Sequence, residues 1–170
     1  MIVFIKSLVT FIISVFRYKL KKLKYADKGL KYELLTIDRV KGIWVPEDQA
    51  KDLNQINEFV STNSQKDDVF MMFPEIGVYH FIFDRPFLGR FPFCDLSWLN
   101  DRWFEGYFHE FKQGRAKYVL VQKQMPEGWE KIYFGYAPNK RKYDQVKVII
   151  DQDYQMVEET EGTWIYKRKQ

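Results

Sequence analysis

From Lys41 onward the chain alternates short apolar runs with segments whose apolar positions recur at three- and four-residue steps. Gly42-Ile43-Trp44-Val45-Pro46 has strand character and stops at a proline. After it, Glu47 or Asp48 can cap a helix that carries Ala50, Leu53, Ile56, Phe59 and Val60 at helical spacing. A polar turn over 61–68 leads to Val69–Phe73, an unbroken apolar run closed by Pro74, as expected of a strand buried on both faces. Within Glu75–Asp84 the pattern predicts a short helix with Ile76, Tyr79, His80 and Phe83 on one side. Arg85–Pro92 reads as a loop.

The second half repeats the alternation. A helix is predicted from Trp98 to Gln113, a buried strand over Tyr118–Val121, and an irregular stretch from Met125 to Asn139. A helix over Tyr143–Tyr154 turns Val146, Ile149 and Ile150 inward. Tyr154–Glu159 and Thr163–Tyr166 form a β-hairpin around Glu161-Gly162. Strands separated by helices predict an α/β fold: a mostly parallel central sheet flanked by helices, with the C-terminal β-hairpin as an antiparallel edge. No internal repeat or low-complexity tract interrupts this order.

The first 40 residues follow another rule. Met1–Phe16 is apolar apart from Lys6, Ser7, Thr10 and Ser14. As a helix it is about 24 Å long, and the following Lys and Arg side chains can extend its reach toward a hydrocarbon core of about 30 Å. Ser7, Thr10, Ser14 and Arg17 fall on one face, as on a membrane helix that meets a neighbour. The expectation is one N-terminal membrane helix, with an amphipathic helix lying on the membrane as the alternative. Arg17, Lys19, Lys21, Lys22 and Lys24 are then membrane-surface residues that meet anionic lipid. The division expected is 1–24 membrane helix and basic arm, 25–40 linker, and 41–170 soluble α/β domain. A lone anchor with this arm would hold the domain in the cytoplasm.

Charge fits that division. Residues 1–31 hold eight Lys/Arg against Asp27 alone, +7, while the remaining 139 residues hold 19 basic and 22 acidic groups, −3. A nucleic-acid partner is therefore not expected, because the basic surface is not on the folded part. One Cys and two His exclude a disulfide framework and a usual structural zinc site. No cofactor is implied: the chain has no dinucleotide-binding glycine pattern after the first strand, no Walker loop and no nucleophile elbow. Cys94, in an apolar context, reads as a core residue, and His109 as a partly exposed structural one.

One constellation remains. Glu75, Tyr79, His80, Arg85 and Arg90 follow the buried strand 69–73, at the strand end where open α/β sheets bind ligands. Two guanidiniums beside aromatic rings suit a phosphate or a sugar phosphate. The alternative is structural, with Arg85 pairing with Glu75 or Asp84 to pin the loop.

The ordered set VFMMFPEIGVYHFIFDRP, AKYVLVQK and DYQMVEETEGTWIYKRK, behind an apolar helix, resembles the C-terminal end of bacterial polytopic glycosyltransferases of the GT-C architecture. These are related to the dolichyl-phosphate-mannose protein mannosyltransferases. The resemblance implies the last membrane helix and an accessory extracytoplasmic α/β domain of an enzyme that uses a polyprenyl-phosphate sugar. Partners implied are the remaining membrane helices and a lipid-linked sugar or glycan acceptor. The family's catalytic part has no counterpart here, so no catalytic residue is carried over and the isolated chain is expected to be inactive. A stand-alone anchored binding module is the alternative.

Overall fold

The computed structural model describes residues 31–90, 94–125 and 128–170, with the backbone alone at Glu75, Ile76, Cys94 and Asp95. Its centre is a four-stranded sheet in the order β3-β6-β8-β7, made of β3 (Phe70–Phe73), β6 (Tyr118–Gln122), β8 (Thr163–Arg168) and β7 (Tyr154–Glu159). Period-two alternation splits these strands between two cores. Phe70, Met72, Tyr118, Leu120 and Ile165 face α1 (Glu47–Asn63) and its buried Ala50, Leu53, Ile56, Phe59 and Val60. Met71, Phe73, Val119 and Val121 face the other way. There they meet Phe104, Tyr107 and Phe111 of α3 (Asp101–Lys112), Trp129 and Tyr133 of α4 (Trp129–Phe134), and Val146 and Ile150 of α5 (Ala137–Asp153). Helices therefore cover both faces, and β3 is buried along its whole length, as its unbroken apolar run requires.

The strand directions correct the expected sheet. β3 and β6 are parallel, but β6–β8 and β8–β7 are antiparallel, so the sheet is mixed and not mostly parallel. The cause lies at both ends of the chain. The first strand, β2 (Trp44–Pro46), does not join the central sheet; it pairs antiparallel with β1 (Tyr32–Leu34) in a separate ribbon. A ribbon of neighbours needs a turn, whereas entry into the parallel sheet needs a crossover. At the other end the hairpin inserts β8 beside β6 and leaves β7 as the edge. The stretch read as a linker enters the fold from Tyr32 onward, with Leu35, Ile37 and Val40 buried against α1. A small ribbon, β4 (Glu75–Ile76) with β5 (Cys94–Asp95), lies beyond β3, followed by the single turn α2 (Tyr79–Ile82).

The expected membrane helix and single-pass location are also corrected. Among the described residues no helix is long and apolar enough to cross a membrane. The longest, α1 and α5, have 17 residues each and carry charges throughout, because each buries only one stripe. Met1–Phe16 and the basic arm Arg17, Lys19, Lys21, Lys22 and Lys24 lie outside the described residues.

Candidate functional site

The residues singled out after β3 do not form one site. Tyr79, His80 and Arg85 do border a common space, together with Phe70, Met72, Phe87 and Tyr107. That space is a void of about 10 Å³, room for one water at most. The Arg85 guanidinium is spent on the protein itself. Nη1 donates to the carbonyls of Phe83 and Asp84, both at 3.1 Å, Nε to Ser64 Oγ at 3.0 Å, and Nη2 to Val60 O at 3.3 Å. It thus closes the C-terminal end of α1, whose last carbonyls lack helical partners. The Asp84 carboxylate pairs with Arg39 and Lys66 instead. His80 lies against the Phe87 ring at 5.1 Å between centroids. Burial pushes its imidazole below the ordinary value, and a hydrogen bond with the Gly77 backbone opposes the shift without cancelling it. The Glu75 and Cys94 side chains lie outside the described set. His109 is exposed on α3, its Nε2 2.8 Å from Gln113 Nε2.

Arg90 belongs elsewhere. With Gly89 it forms one wall of an open cleft of about 540 Å³, whose other wall is Leu99, two residues ahead of α3, and Arg102, Trp103, Gly106, Tyr107 and Glu110 of α3 itself. That volume is in the range of small-molecule sites. The register of α3 explains its composition. Phe104, Tyr107 and Phe111 take the buried stripe, which leaves Arg102, Trp103, Gly106 and Glu110 on the flank turned to the loop. The helix start is fixed by Asn100, whose Oδ1 accepts from the Trp103 N–H at 2.9 Å. Gly89 has φ +81°, and a Cβ there would sit 2.8 Å from Tyr107 Cδ2, so only glycine lets the loop come this close to α3.

The electrostatics favour an anion. Neither Arg90 nor Arg102 makes an ion pair or side-chain hydrogen bond among the described residues. The one acid on the wall, Glu110, is already paired with Arg115 at 3.1 Å. Trp103 leaves 45% of its surface exposed beside them. Gly106 adds room: it stands inside a 12-residue helix, and a Cβ there would meet no atom within 4 Å. Glycine in a helix interior costs about 1 kcal/mol relative to alanine, and no packing contact accounts for that cost. Arg102, Trp103 and Gly106 were legible as a helix but not as a wall. The signals that point to them are a glycine inside a helical pattern and a tryptophan off the buried stripe. Among the described residues no group of three or more His, Cys, Asp or Glu is placed to hold a metal ion.

No protein-family model matches the chain, and neither does any curated protein.

Proposed function

We propose that this chain is a binding module that holds a phosphate-bearing sugar between the Gly89–Arg90 loop and α3. We further propose that it serves as the accessory domain of a glycosyltransferase whose catalytic part lies elsewhere. The observation that carries the binding reading is the pair of uncommitted guanidiniums, Arg90 and Arg102, in one cleft with an exposed indole. Guanidinium forks match phosphate oxygens, and the flat Trp103 face suits the C–H side of a pyranose ring. The glycosyltransferase assignment rests on the ordered motifs from VFMMFPE to the closing WIYKRK.

Isothermal titration of the full chain with glucose, mannose and galactose 1-phosphates, against the free sugars and inorganic phosphate, tests it. At least one sugar phosphate should bind more tightly than either of its parts, and affinity should fall with added salt. Arg90→Ala and Arg102→Ala should each weaken it about ten-fold, as expected for one lost charge-assisted contact. Equal affinity in the double variant, or no binding by any of the three, would falsify the reading.

A further inference from the structure

The parallel pair β3–β6 defines a second place to look, because ligands of open α/β sheets settle outside the carboxyl ends of parallel strands. The chain leaving β3 brings Val78, Tyr79 and Ile82 there, and the chain leaving β6 brings Gln122, Lys123 and Gln124. The first turns of α1 and the β7–β8 turn complete a crevice of about 510 Å³.

Most of its charged groups are already used. Asp52 accepts from Thr160 Oγ1, the Gly162 N–H and Thr163 Oγ1 at 2.5, 2.7 and 3.1 Å. Lys123 holds Glu159 and the Thr160 carbonyl, and Glu161 holds Lys51. Gln122 is different. It continues the row of Tyr118 and Leu120 on the α1 side of the sheet, and its buried Oε1 has no protein partner. A buried amide oxygen without a partner costs about 1–3 kcal/mol, and a donor in the crevice, met by a rotation of the half-exposed Gln122 side chain, would offset that cost. Asp48, Gln49 and Gln124 also make no side-chain hydrogen bond or ion pair among the described residues.

The occupant follows from what these groups accept. Asp48 and Asp52 have no cationic partner, so the crevice repels an anion. A bare cation would find the Asp52 oxygens occupied by three donors. A peptide strand would need a free sheet edge, and β6 is flanked by β3 and β8. Amides that donate and accept, next to the apolar wall of Leu53, Val78 and Ile82, suit a ligand with many hydroxyls and one C–H face. We propose that the crevice at the carboxyl ends of β3 and β6 binds a neutral saccharide, with the Gln122 amide as its buried hydrogen-bonding group. This site is distinct from the Arg90–Arg102 cleft.

The test is saturation-transfer NMR on the full chain with the methyl glycosides of glucose, galactose, mannose and N-acetylglucosamine. At least one should receive saturation. Gln122→Leu should abolish the signal while the melting temperature holds or rises, since an unpartnered acceptor is removed. Gln124→Ala, at an exposed position, should weaken binding several-fold in a chain that folds normally. An excess of a hexose 1-phosphate, which fills the Arg90–Arg102 cleft and is repelled from this crevice, should leave the signal intact, and that separates the two sites. Absence of transfer from all four glycosides overturns the proposal. So does a signal that survives Gln122→Leu, or a response confined to hexose phosphates or to peptides.

Discussion

Arg85 and Ser64 meet at 3.0 Å, Nε to Oγ, and the Ser64 hydroxyl in turn donates to Val60 O at 2.6 Å. This relay ends α1. It draws the loop after α2 onto the helix that covers one face of the sheet, and it spends the arginine that the sequence offers most readily for a ligand. Arg85→Ala leaves the Phe83 and Asp84 carbonyls short of a donor, while Val60 O keeps the Ser64 hydroxyl and N–H. The expected loss is about 2 kcal/mol, from the usual worth of hydrogen bonds to a charged group. Urea unfolding checks it, with Arg90→Ala as the reference. Because Arg90 is exposed and uncommitted, that variant should unfold within about 0.5 kcal/mol of the parent.

Asp52 ties α1 to the β7–β8 turn through the three hydrogen bonds to Thr160, Gly162 and Thr163. Asp52→Ala leaves the buried Thr163 hydroxyl and the half-buried Gly162 N–H without their acceptor, while Thr160 Oγ1 can turn to Thr163 O, and should cost about 2 kcal/mol. Gly162→Ala presses from the other side, since its Cβ would stand 3.1 Å from Asp52 Oδ2. It should lower the melting temperature by less than Asp52→Ala does. A larger effect at Gly162 would mean that the turn, and not the carboxylate, sets the register of the hairpin.

His80 gives the protein a mildly acidic dependence. Its folded value lies below the ordinary 6.5 because burial disfavours the charged ring. The unfolded chain therefore takes up the proton first, and stability falls as pH drops from about 6.5 through the folded value. Above about 6.5 the contribution is complete. His80→Phe removes the titrating group and keeps a ring against Phe87. In melting curves between pH 7 and 5, the parent should lose more than this variant.

Tyr154 adds an alkaline dependence. Burial raises its hydroxyl to about 12, and the O–H donates to Ala116 O at 2.7 Å. The stabilising neutral form is complete below about 10, the unfolded value, and is lost as pH rises through about 12. Tyr154→Phe should cost about 1 kcal/mol near neutrality. Between pH 10 and 12 its stability should fall less than the parent's, as read by circular dichroism.

The elements that one-dimensional patterns specify were legible, and the relations between them less so. VFMMF and YVLV announce strands buried on both faces, and the Glu161-Gly162 turn announces the hairpin, because these are local consequences of burial and turn chemistry. Strand direction is not local: nothing in Trp44–Pro46 says that it pairs with Tyr32–Leu34 and not with β3. The start of α5 at Ala137 was missed, since Pro138 reads as a break although a proline fits the first turn of a helix. At the candidate site, Arg90 was legible as a basic residue in a loop, although the sequence grouped it with Arg85 and not with α3. Its partner Arg102 was not, because the approach of α3 to that loop depends on Gly89 lying over Tyr107.

Gly106 offers the sharpest separation of stability from binding. A residue inside α3 with no neighbour within 4 Å of its Cβ position should accept alanine, and the gain in helix propensity is about 1 kcal/mol. Gly106→Ala should therefore raise the melting temperature by a few degrees. Gly106→Leu should also fold, because its side chain projects into the cleft and not into the core. That same projection takes the space beside Trp103, so sugar-phosphate affinity should drop at least about ten-fold while inorganic phosphate, held by the guanidiniums alone, binds nearly as before. Titration of both ligands against the parent, Gly106→Ala and Gly106→Leu reads the two effects separately. If Gly106→Leu keeps full sugar-phosphate affinity, the sugar does not lie along α3, and the role assigned to Trp103 fails with it.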